Sequence, residues 1–107
     1  MEGFQSVARV EDIPQGQVKV VSLNQKPIAV FNVGGTFYAI SNICPHEGGP
    51  LNEGRVKGHV VACPWHDLAF DIRNGQGTDG GGYCVGSYEV RVENGEVFVG
   101  GRRKPSR

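Results

Sequence analysis

Two short stretches of this 107-residue chain carry side chains that bind metal: Ile43-Cys44-Pro45-His46 and Cys63-Pro64-Trp65-His66. Each offers one thiolate and one imidazole, as C-x-H and C-x-x-H with sixteen residues between them. In both, a proline follows the cysteine, fixing φ and removing a backbone donor. Brought together, Cys44, His46, Cys63 and His66 supply two soft sulfur and two borderline nitrogen ligands. That donor set suits either iron–sulfur or zinc. Closed zinc sites do take four such ligands. Zinc fingers, however, usually draw both cysteines from one arm and both histidines from the other, whereas each arm here supplies one of each. A cysteine nucleophile would need one thiol, one base and one orienting group, a logic in which the duplication has no place.

These residues need a scaffold, and the sequence reads as an all-β one. Seventeen glycines and six prolines, without a long helical period, point to short strands and many turns. Strand patterns run over 17–23, 27–33, 36–40, 56–62, 87–93 and 96–99. Gly34-Gly35 and Asn94-Gly95 each separate two such runs, and both dipeptides tolerate the positive φ of two-residue hairpin turns. Residues 11–16 read as a loop. Between the hairpins, about 42–86, Gly, Pro, Cys and His concentrate, which predicts a loop-rich metal-binding subdomain mounted on an antiparallel framework. The whole of 1–107 reads as one domain, with a basic tail at 101–107 expected to be disordered.

Composition excludes several function classes. Four of the eleven basic residues, Arg102, Arg103, Lys104 and Arg107, lie in the last six positions. The remainder holds seven basic against eleven acidic side chains, a net of −4. An acidic body argues against nucleic acid, where phosphate neutralisation dominates affinity. No apolar run approaches the roughly 20 residues that span a bilayer, and no secretory leader is visible at Met1-Glu2-Gly3-Phe4-Gln5. The expectation is a cytoplasmic monomer without membrane or nucleic-acid partners. Three cysteines do not make a disulfide framework, and in a reducing compartment they favour metal ligation.

The paired motifs, their spacing, the Cys63-Pro64-Trp65-His66 half, the following Phe70-Asp71 and the closing hairpin resemble the Rieske proteins, specifically the soluble Rieske ferredoxins. That resemblance implies a Rieske fold holding a two-iron two-sulfur cluster, with Cys44 and Cys63 on the inner iron and His46 and His66 on the outer one. It implies an electron carrier rather than an enzyme, working between a flavin-dependent reductase and a terminal ring-hydroxylating oxygenase. A small subunit of an assimilatory nitrite reductase, which shares the fold, is the alternative. A zinc-stabilised binding module is the third reading. Outside the proposed ligands only His59 remains, so the chain has no 2-His-1-carboxylate iron site of an oxygenase.

The ligand set has an electrostatic meaning. Four thiolates leave an oxidised two-iron centre doubly negative, whereas two thiolates and two neutral imidazoles leave it neutral and easier to reduce. Rieske potentials accordingly span about −150 to +300 mV, above the plant-type ferredoxins. The high-potential members carry a serine and a tyrosine where this chain has Leu68 and Phe70, and a cysteine pair where it has Gly49 and Trp65. Both devices are missing here, which implies a low-potential ferredoxin that feeds oxygenases. Asp67 stands where the family commonly has glycine. It is either a carboxylate that pulls the potential down further or a solvated loop residue.

Other residues carry weaker expectations. Cys84, left without a disulfide partner, reads as a small buried hydrophobe. His59 reads as a surface strand residue. Glu47, Glu53 and Asp71 are candidates for an acidic rim that docks a basic partner. Trp65 reads as packing against the cluster loops and shielding the sulfurs.

Overall fold

The computed structural model describes residues 3–45, 48–65, 68–78 and 83–102. Nine strands run through them: β1 (Gln5–Arg9), β2 (Val18–Leu23), β3 (Lys26–Val33), β4 (Thr36–Ser41), β5 (Arg55–Lys57), β6 (Val60–Ala62), β7 (Ala69–Asp71), β8 (Ser87–Glu93) and β9 (Glu96–Arg102). Six form an antiparallel sheet in the order β1-β9-β8-β4-β3-β2, and β5-β6-β7 form a smaller antiparallel sheet. The all-β expectation holds. Among the described residues no helix is long and apolar enough to cross a membrane.

The strands β3 and β4 organise the core because both of their faces are covered. Side chains alternate sides along a strand. Ile28 and Val30 therefore join Val21, Leu23, Phe37, Ala39, Val97 and Val99 on one side of the large sheet. Ala29, Phe31 and Ile40 face the other side, where Leu51, Val61, Phe70, Ile72 and Val85 of the metal-binding region pack on them. This explains why Ile28-Ala29-Val30-Phe31 is a continuous apolar run rather than an alternating one.

Tight turns link neighbouring strands. Gly34-Gly35 and Asn94-Gly95 have positive φ at both residues, as their chemistry predicted. A third turn of this kind, Asn24-Gln25 (φ 52° and 67°), joins β2 to β3 without a glycine to mark it. The run 56–62 is two strands, not one. Gly58, at φ 61°, turns the chain between β5 and β6 and lets Val56 pair with Val61. The short strands β1 and β7 escaped the sequence reading.

The final strand also runs further than expected, to Arg102, which pairs with Tyr88. Its two glycines extend the strand instead of ending it. The Phe4 ring lies so close over Gly100 that a methyl there would sit 2.7 Å from it. Arg91 stacks on the same ring, its guanidinium carbon 5.3 Å from the centroid. Residues 101 and 102 of the expected tail are thus strand, and 103–107 lie outside the described residues.

Asn32 is the one buried amide of β3, 6% exposed. Its Nδ2 donates to the Ile13 carbonyl at 2.8 Å, and its Oδ1 accepts the Gly35 N–H at 2.9 Å. Asn32→Ala orphans both partners and should cost about 1–3 kcal/mol. Urea denaturation should show the midpoint fall with an unchanged m-value.

Candidate metal centre

Both cysteines open hairpin-like loops. In the first, Ile43 bridges to Pro50, the Cys44 N–H donates to the Gly49 carbonyl at 2.9 Å, and the Gly48 N–H donates back to the Cys44 carbonyl at 2.9 Å. In the second, Ala62 pairs with Ala69, and the Cys63 N–H donates to the Leu68 carbonyl at 2.7 Å. Asn42 anchors the first loop. Its Oδ1 accepts the Asn52 N–H at 2.7 Å, and its Nδ2 donates to Asn52 Oδ1 at 3.0 Å.

The loops converge on the core that joins the two sheets. Cys44 and Cys63 are 1% and 0% exposed, and both belong to the cluster of Phe31, Leu51, Val61 and Phe70. Neither forms a disulfide. Gly49 of the first loop lies directly on the second. A methyl placed on it would be 2.8 Å from Cys63 Sγ and 3.1 and 3.2 Å from Cδ2 and Cγ of Trp65. Gly49 is more than a position that lacks a cysteine: its bare Cα is what lets the loops meet. The Gly48-Gly49-Pro50 run was the available signal.

His46 and His66, the two imidazoles of the predicted set, lie outside the described residues, as do Glu47 and Asp67. Among the described residues no three potential ligands gather, as expected when half the predicted set is not among them. What is described fits a two-iron centre. Two unbridged thiols share one dry core, at the roots of two loops that meet at Gly49. Leu68 is half-buried against this core and Phe70 is fully buried within it, so neither brings a hydroxyl.

Several flanking residues depart from expectation. Cys84 is exposed, not buried. It lies on an extended segment opposite Gln76, and the period of two sends Val85 inward and Cys84 out. His59 occupies the β5–β6 turn rather than a strand. It is half-buried and edge-on to Tyr38 of the large sheet, with ring centroids 5.5 Å apart. Trp65 does pack on the loop but is 57% exposed.

Asp71 is not a free member of an acidic rim. Arg73 donates from Nε to Oδ1 at 3.0 Å and from Nη2 to Oδ2 at 2.8 Å, and its backbone N–H adds a bond at 2.9 Å. The Arg73 hydrogen bonds hold the Asp71 carboxyl below its ordinary value and raise the guanidinium in turn. Glu53 is exposed and edges an open groove of about 370 Å³ whose walls include Arg55, Cys63 and Pro64.

The Rieske [2Fe-2S] domain model matches residues 3–84. Ferredoxin CarAc of Metapseudomonas resinovorans is 35% identical over 102 residues, covering 92% of this chain and 94% of that protein. The ferredoxin component of the naphthalene 1,2-dioxygenase/salicylate 5-hydroxylase systems of Ralstonia sp is 33% identical, with 86% and 89% covered. A chain in the solved complex of reduced oxygenase and oxidized ferredoxin in carbazole 1,9a-dioxygenase superposes with a TM-score of 0.87 at 32% identity. That match covers 99% of this chain and 100% of the other.

The Asp71–Arg73 pair makes a pH prediction. A carboxyl with a depressed pKa stabilises the fold above its unfolded value, about 3.9, and that contribution fades as pH falls through the lower folded value. Asp71→Asn has nothing to lose there. Its stability should therefore fall less between about pH 7 and pH 3 than the parent's, as measured by urea denaturation at both ends.

Proposed function

The chain belongs to the Rieske [2Fe-2S] domain family, and from that premise we propose that Cys44, His46, Cys63 and His66 hold the cluster and that the protein works as a cytoplasmic monomer. It is an electron-carrying ferredoxin of a multicomponent dioxygenase system, not itself the enzyme. Its partners are a flavin-dependent reductase that donates the electron and a terminal ring-hydroxylating oxygenase that accepts it. The observation that carries the ligand assignment is the burial of both unbridged thiols in one core at the roots of two touching loops.

When bound, the cluster takes up and releases one electron. The chain supplies the rest. Cys44 and Cys63 bind as thiolates from the dry interior, where desolvation makes the paired iron the only good home for their charge. His46 and His66 bind as neutral imidazoles and so keep the oxidised site neutral. The Asn42–Asn52 amide pair and the β6–β7 ladder fix the loop roots. Leu68 and Phe70 put hydrocarbon where hydroxyl donors would stabilise the reduced form.

The nitrite-reductase alternative gains nothing from relatives that are named as ferredoxin components. Absorption of the purified protein separates the zinc reading, because a zinc site is colourless and a Rieske cluster is red-brown. His46→Ala or His66→Ala should bleach or convert the site, whereas His59→Ala should leave the spectrum intact. Equal bleaching by His59→Ala would overturn the ligand assignment.

The midpoint should lie near the low end of the Rieske range, roughly −150 mV. A hydrogen bond to a charged group contributes on the order of 1.5–3 kcal/mol, and a tenfold change in a one-electron equilibrium is about 59 mV. Leu68→Ser with Phe70→Tyr should therefore raise the midpoint by on the order of a hundred millivolts. Protein-film voltammetry measures both values, and a parent midpoint above zero would move the chain to the high-potential class.

A further inference from the structure

Trp65 is the most exposed of the large hydrophobic side chains described, at 57%, yet it is not turned away from the protein. Its inner edge, Cγ and Cδ2, rests on the backbone of buried Gly49, on the same spot that touches Cys63 Sγ. We propose that Gly49 and Trp65 form a noncovalent clasp across the two cysteine loops, in which the indole keeps water from the Cys63 sulfur and so makes Trp65 a positioning residue for the redox centre.

Three observations carry this. The backbone hydrogen bonds described for each loop close within that loop, Cys44 with Gly48 and Gly49 in one and Cys63 with Leu68 in the other. Across the loops, the Gly49 surface lies against Cys63 and Trp65. No disulfide takes its place, since all three cysteines are unbridged.

The second observation is that Cys63 is fully buried although its neighbours Pro64 and Trp65 are exposed and an open groove of about 370 Å³ runs beside it. Cys63 is thus fully buried yet close to the surface. The third is the fit itself. Any side chain at position 49 would push the sulfur or lift the indole, so the glycine and the tryptophan work as a pair.

Water at a cluster sulfur favours the reduced, more negative state, so solvent exposure is one of the quantities that sets the potential. The inference rests on the cluster assignment above, and its test separates the two. Parent, Trp65→Phe, Trp65→Leu and Trp65→Ala proteins are reconstituted with iron and sulfide. Midpoint by voltammetry and bleaching rate in excess EDTA are then compared, with a urea midpoint to monitor the fold.

The expected order in both readouts is Ala above Leu, Leu above Phe, and Phe close to the parent. Trp65→Ala should favour reduction three- to tenfold, up to about 59 mV, and bleach several-fold faster. Gly49→Ala should bleach faster with the tryptophan intact. A red-brown parent whose Trp65→Ala variant keeps the parental midpoint and bleaching rate would overturn the clasp and leave the ferredoxin reading standing. A parent that never colours would overturn both.

Discussion

The strands β3 and β4 carry apolar side chains on both faces, and everything else in the molecule is arranged around covering them. One cover is the rest of the large sheet, through Val21, Leu23, Val97 and Val99. The other is the metal-binding region, and its contribution includes the two cysteines themselves, alongside Leu51, Val61 and Phe70. A charge buried without a partner is strongly unfavourable. Metal binding removes that difficulty, which couples occupation of the site to the packing that joins the sheets.

The polar side chains that flank the second loop are held by local partners. Asp71, on the strand that follows the second loop, is tied up by Arg73 within its own turn, and half-buried His59 is packed against Tyr38. The residues that would sit in view of the sulfurs, Leu68 and Phe70, carry no polar atoms beyond the backbone. With the ligands proposed above, electronic tuning would rest on ligand charge and water exclusion, since neither Leu68 nor Phe70 offers a side-chain donor.

Much of this was legible in the sequence, for identifiable reasons. The ligand pattern stood out because two thiolate–imidazole motifs at fixed spacing have few other uses. Gly34-Gly35 and Asn94-Gly95 announced their hairpins because their φ requirements are chemical. Asn24-Gln25 hid a turn of the same shape, since glutamine seldom accepts positive φ and only the β2–β3 pairing holds it there. Gly58 sat inside an apolar run and so looked like a strand residue. Gly100 and Gly101 looked like a strand end because the ring that lies over Gly100 comes from Phe4, near the other end of the chain. Cys84 was misjudged by residue type when its strand parity decided the matter.

That Phe4–Gly100 contact has a kinetic consequence. It places the two ends of the described chain side by side, and Ser6 and Glu96, hydrogen-bonded at 2.7 Å, are 90 positions apart. Inside that span the Ser41 N–H meets the Gly86 carbonyl, where the metal-binding region leaves and rejoins the large sheet. The molecule is a small loop closure nested within a large one, and each must lose its chain entropy before the strands on either side reward it. Such topologies fold slowly, on millisecond-to-second timescales, with long-range pairing late. Because β1 and β9 lie side by side, a permutant can link Arg102 to Gly3 and open at the Asn24-Gln25 turn. Such a permutant would make β1–β9 pairing local while leaving the two cysteine loops untouched.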